Sequence, residues 1–179
     1  FADHARPEAL IERLGGGFKI LECYIKLYPA CRHAHAAIDA GIRLRNRGAW
    51  DLDRVERICL RTYPAALKSV GKIRVPRTVE DAKFSVTYAL ARALTTGQYG
   101  FDDLEQAKNV DHTTIRIMNM IELINDPSCE NRTENIRGST VELHYVDGTS
   151  AVETIRLPKG DPEFPITQED MKRKIRVCC

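Results

Sequence analysis

Residues 26–35 read K-L-Y-P-A-C-R-H-A-H and gather a lysine, a thiol, an arginine and two histidines around a Tyr-Pro step. These are groups that bind anions and move protons. Pro29 fixes its own φ and biases Tyr28 toward extended backbone, so the spacing predicts that coil or strand ends here and a helix begins. The first turn of that helix, around residues 31–33, would present unpaired N–H groups and the positive end of the helix dipole to a carboxylate or phosphate. Arg32 adds a planar fork suited to bidentate carboxylate binding, and Lys26 adds a point charge. His33 and His35 stand two apart, so on a helix at most one faces a given pocket.

Blander readings stand beside this one. Basic residues near a helix start are often merely solvated, and a lone histidine is more often structural than catalytic. Cys31, His33 and His35 could ligate a metal, but Arg32 would repel a cation and no second half-site lies near in sequence.

The elements that must position these groups follow from periodicity and punctuation. A short helix is predicted over residues 7–14, closed by Gly15–Gly17, with an extended segment over 18–25. Ala34, Ala37, Ile38, Gly41 and Ile42 recur at helical spacing and predict a helix over 34–45. Residues 55–63, V-E-R-I-C-L-R-T-Y, alternate as a half-buried strand, with a brief helical turn after Pro64. Thr78 and Asp81 resemble a capping box opening one long helix over 79–96, stopped by Gly97. On that helix Ala82, Val86, Ala89 and Ala93 form a core face. Phe84, Tyr88 and Ala91 lie on roughly the opposite side, facing either a second layer of the fold or a cleft where a phenol could donate to a substrate oxygen. A helix over 111–118, a short strand over 120–124 and a hairpin of 139–146 with 150–157 around Asp147-Gly148 complete the pattern, with His144 read as structural. Several antiparallel strands among helices predict an α+β fold, an antiparallel sheet with packed helices.

Composition limits the possible functions. The 179 residues, 43% apolar and 29% charged, describe one globular domain, and no apolar run approaches the ~20 residues of a membrane helix. With 27 basic against 25 acidic residues the net charge is +2, too little for a bulk attraction to nucleic acid. The six cysteines form no C-x-x-C pair, which sets the expectation of reduced thiols in the cytoplasm. No G-x-G-x-x-G, G-x-x-x-x-G-K-[ST], G-x-S-x-G or H-E-x-x-H is present. The chain opens on Phe1 and stops at Cys178 and Cys179 after the amphipathic Q-E-D-M-K-R-K-I-R-V, the pattern expected of a piece of a longer protein.

Four strings occur in order across nearly the whole chain: K-x-Y-P-x-C-R-x-x-H followed by A-A-I-D-A, then E-D-A-K-F-S-V-T-Y-A-L-A-R-A-L, then Asp126-Pro127, then L-P-K-G-D-P-E-F-P-I-T. Together they resemble the MmgE/PrpD family, which includes 2-methylcitrate dehydratases, cis-aconitate decarboxylases and iminodisuccinate epimerases. The resemblance implies the smaller α+β lid of a two-domain enzyme, whose all-helical partner domain is absent from this chain. It also implies a site in the cleft between the two, a polycarboxylate substrate, a homodimer and no metal or organic cofactor. By the motif, Lys26 would hold a substrate carboxylate or stabilise enolate charge, and Arg32 would bind or orient a second carboxylate or serve as a structural ion-pair partner. His35 would be a proton donor or hydrogen-bond anchor, Tyr88 a cleft-facing phenol, and Cys31 pocket lining. Thr87 stands where many members have proline, a departure that bears on subfamily.

Overall fold

The computed structural model describes residues 6–12, 14–131 and 133–178. Three single-turn 3₁₀ segments, Pro7–Leu10, Lys19–Glu22 and Arg32–Ala34, lead into α1, His35–Asn46. There follow β1 (Val55–Thr62), α2 (Pro64–Val70), α3 (Val79–Lys83), α4 (Val86–Thr96), α5 (Phe101–Gln106), α6 (His112–Met120) and β2 (Ile121–Asn125). The two-residue strands β3 (Glu130–Asn131) and β4 (Ile136–Arg137) form a small hairpin, then come β5 (Ser139–Tyr145), β6 (Ser150–Ile155) and α7 (Gln168–Cys178).

The main sheet runs β2-β1-β5-β6. β5 pairs antiparallel with both β1 and β6, but β1 and β2 are parallel, so the sheet is mixed rather than wholly antiparallel. The cause is topological: five helices separate β1 from β2, and so long a crossover returns the chain in the same direction. The fold class is α+β, as the sequence predicts.

Alternation gives the sheet one apolar face, with Ile58 and Leu60 of β1 and Val141 and Leu143 of β5 fully enclosed. α1 lies on that face and α4 lies on α1. The two helices approach closely because Gly41 has no side chain. A Cβ there would stand 2.9 Å from Leu90 Cδ1 and 3.0 Å from Ala93 Cβ.

The long helix predicted over 79–96 is two helices. Ser85 breaks it by accepting the Tyr88 N–H with its hydroxyl at 3.3 Å, an N-cap inside the apolar run. The break releases the Lys83 carbonyl from helical bonding, and that oxygen accepts the Cys31 N–H at 2.8 Å. It also separates the supposed second face: Phe84 is 44% exposed while Tyr88 is enclosed. Thr87, at the position where the family often has proline, donates its hydroxyl to the Arg74 carbonyl at 2.9 Å. Residues 18–25 are not simply extended, since the Lys19–Glu22 turn interrupts them. α5 is an element the sequence reading does not predict. Among the described residues no helix is long and apolar enough to cross a membrane, and no group of three or more His, Cys, Asp or Glu could hold a metal ion.

Candidate functional site

The Tyr-Pro step opens a 3₁₀ turn rather than an α-helix, and this changes the anion site expected at residues 31–33. The Cys31 N–H is already taken by Lys83, and α1 proper begins only at His35. Cys31 is half-buried as the residue preceding that turn, with its thiol free.

Beside the motif lies a cleft of roughly 460 Å³. It is lined by Lys26, Leu27, Tyr28 and Pro29, by Ile42 and Asn46 of α1, by residues 97–103, and by Asp170, Arg173 and Lys174 of α7. Of the five residues singled out from the sequence, Lys26 lines this cleft; Cys31, Arg32, His35 and Tyr88 do not.

Arg32 is 8% exposed. Its Nη2 donates to the Asp161 carboxylate and, at 3.3 Å, to the Pro158 carbonyl, while the Tyr24 ring covers the guanidinium at 4.7 Å from the ring centroid. Nη1 has no partner among the described residues.

His35 is wholly enclosed, its ring edge-on to Tyr28 with centroids 5.2 Å apart. Nε2 lies 3.4 Å from the Ala30 carbonyl, which only accepts, so Nε2 carries the proton and Nδ1 is a buried lone pair with no partner among the described residues. Burial, reinforced by the charge of Arg32, pushes its pKa down to about 3. The imidazole is therefore neutral, which fits the hydrogen-bond anchor of the sequence reading better than the proton donor. His33 points elsewhere, its Nδ1 2.5 Å from the Tyr63 hydroxyl, as the two-residue spacing requires.

Tyr88 departs most from expectation. It is 1% exposed, and its hydroxyl donates to the Asp103 backbone carbonyl behind the cleft wall. The helical wheel leaves two places for it, a second layer of the fold or a cleft, and the family motif points to the cleft; the structure puts the ring in the second layer. Burial pushes its phenol up to about 12.

The sequence reading missed four contributors. Tyr28 donates its hydroxyl to Asp39, whose carboxyl burial pushes upward against the opposing effect of that bond and of the Lys159 N–H at 2.9 Å. From α7, Arg173 and Lys174 reach the cleft, and Lys174 donates to the Lys26 carbonyl. The only signal was the basic run of the terminal amphipathic segment. Asp170, which burial alone would push upward, is held down at about 2 by Lys159 at 2.6 Å and by Thr167.

The cleft thus carries three cationic side chains, Lys26, Arg173 and Lys174. The two buried carboxylates of its walls, Asp103 and Asp170, are neutralised by Arg92 at 2.7 Å and by Lys159. The exposed carboxylate of Asp102 also lines the cleft, which leaves an excess of two positive charges and chemically suits a small anion.

A search of curated proteins returned no match. The family model described as the MmgE/PrpD C-terminal domain matches residues 28–179, which take in all but the first two residues of the 26–35 motif, the α3–α4 break and the turn after β6. The chain belongs to the MmgE/PrpD family, a family of dehydratase- and lyase-like enzymes, as its C-terminal, lid-type domain.

Proposed function

We propose that this chain is the lid of a cofactor-independent lyase acting on a polycarboxylate, most directly the dehydration of 2-methylcitrate. The observation carrying this reading is the junction of Lys26 with Arg173 and Lys174 at one cleft. In such a reaction a proton leaves the carbon beside a carboxylate, the C–O bond at the neighbouring carbon breaks, and water departs. Charge develops on the carboxylate as the proton is removed, and a cation already in place lowers that barrier without reorganisation. Lys26 is assigned that role, Arg173 and Lys174 the remaining carboxylates. His35, neutral and buried against Tyr28, anchors the wall from behind. Decarboxylation of cis-aconitate or epimerisation of iminodisuccinate would use the same binding logic, and the groups that distinguish them are assigned to the helical domain of the parent protein. On the same reading the parent is a cytoplasmic homodimer and this chain alone is inactive.

The test is to incubate the full-length parent separately with 2-methylcitrate, cis-aconitate and an epimerisable aminodicarboxylate in D₂O, following product and α-carbon deuteration by NMR. Dehydration of 2-methylcitrate is expected. Failure of a folded parent to turn over any of the three would overturn the reading in favour of a binding module without chemistry.

A further inference from the structure

We infer that the turn at residues 158–161 is the positioning element of Lys26, and that Arg32 acts by tying the motif to this turn rather than by touching substrate. The inference rests on the reading of the cleft as the polycarboxylate site.

Three independent ties bracket Lys26 in sequence. Just before it, the Ile25 N–H donates to the Gly160 carbonyl at 2.8 Å. Two residues after it, Tyr28 donates to Asp39, whose other oxygen accepts the Lys159 N–H at 2.9 Å. Beyond that, Arg32 donates to the Asp161 carboxylate and to the Pro158 carbonyl. The same turn also fixes α7, because Lys159 holds Asp170 at 2.6 Å and Lys174, one turn further on, donates to the Lys26 carbonyl. The lysine's backbone and the helix carrying the other two cations therefore share one reference point.

Gly160 makes the closeness possible. It sits at φ +102°, and a Cβ there would lie 2.1 Å from the Ile25 carbonyl oxygen, a backbone atom that cannot move without moving residue 26. Arg32 is placed for tying rather than binding: Asp161 and Pro158 occupy Nη2, Tyr24 covers one guanidinium face, and Nη1, although without a partner among the described residues, is itself buried. A buried ion pair is a poor way to gain stability, because an apolar pair of the same volume often does as well or better. Its directional bonds instead fix one geometry, which is what a positioned cation needs.

The experiment uses the full-length parent with Gly160→Ala and, should that variant not fold, Asp161→Asn. Hydrogen exchange is compared between the peptide covering residues 24–30 and the hairpin covering 139–155, together with kcat and KM. Exchange in 24–30 should rise about tenfold with the hairpin unchanged, and kcat should fall by ~10²-fold with KM within about threefold, as for a misplaced catalytic group. Unchanged exchange in 24–30, or an equal rise in the hairpin, would overturn the inference, the latter by showing general loosening. If the wild-type parent acts on none of the polycarboxylates, the reading of the cleft fails while the exchange arm still decides whether the turn positions Lys26.

Discussion

Arg92 Nε lies 2.7 Å from Asp103 Oδ1, with both residues under a tenth exposed. Asp103 also accepts the Gly100 N–H at 2.8 Å through its other oxygen, and its backbone carbonyl receives the Tyr88 hydroxyl. One carboxylate thus holds together α4, the start of α5 and the cleft wall between them. Asp103→Ala would leave the buried guanidinium only the more distant, exposed carboxylate of Asp111 at 3.7 Å, a loss toward the lower end of the ~3–5 kcal/mol of a broken buried pair. Urea unfolding of this chain should show the midpoint falling accordingly; a shift of under 1 kcal/mol would mean that water reaches Arg92.

Tyr88 separates a core role from a catalytic one. Tyr88→Phe keeps the ring, which stands edge-on to Tyr99 at 6.5 Å between centroids, and removes only the donor to the Asp103 carbonyl. Stability should fall by ~1–2 kcal/mol for a buried acceptor left unpaired. In the full-length parent, kcat/KM should stay within about twofold of wild type, whereas a loss of tenfold or more would return the phenol to the chemistry.

Much of this architecture was legible because local rules act strongly. α1, β1, α6 and the β5–β6 hairpin fall within a few residues of their predicted places, since apolar period and turn chemistry are both intact there. The break at Phe84–Ser85 was not, although a serine inside an apolar run is a possible cap. Whether it caps or points outward depends on the Cys31 segment that needs the Lys83 carbonyl, a contact across more than fifty residues. The candidate site divides in the same way. Lys26 was readable from its motif, but Arg173, Lys174 and the 158–161 turn join it only through tertiary contact. For Arg32 the sequence offers a substrate ligand or a structural ion-pair partner, and which partner it has is decided by Asp161, far along the chain.

His35 should leave a mark on acid stability. Its folded-state pKa, lowered to about 3 from an ordinary 6.5, means that below pH 6.5 the unfolded chain binds a proton that the folded chain refuses. Stability is therefore lost as pH falls from about 6.5 toward 3, at up to ~1.4 kcal/mol per pH unit. His33, lowered by burial and by Arg137, works in the same direction. Asp39, raised by burial above its ordinary 3.8, opposes both, because the folded chain takes up its proton at a higher pH than the unfolded chain does, and that window, running upward from 3.8, overlaps the window of His35. Urea midpoints of this chain between pH 7 and 5 should decline for wild type and much less for His35→Gln. Parallel slopes for the two would assign the acid sensitivity to other groups.

The cations of the cleft should contribute unequally. Lys26, an exposed residue, stands beside Tyr28 with its backbone held on both sides, by Gly160 through Ile25 and by Lys174 at its own carbonyl, so the root of its side chain is fixed. Arg173 is 68% exposed, and its contact with Asp170 at 3.4 Å holds it only weakly. A solvated charge strengthens binding by an amount that salt screens, whereas a positioned one acts on the transition state. For the full-length parent, Lys26→Ala should lower kcat/KM by ~10²-fold at both 20 mM and 500 mM salt. Arg173→Ala should raise KM by ~3–10-fold at low salt, with kcat nearly unchanged, and the difference should vanish at high salt. Steady-state kinetics at the two ionic strengths checks both. Should Lys26→Ala behave like Arg173→Ala, the lysine binds the substrate equally in ground and transition states, and the charge on the reacting carboxylate is stabilised by a group outside this chain.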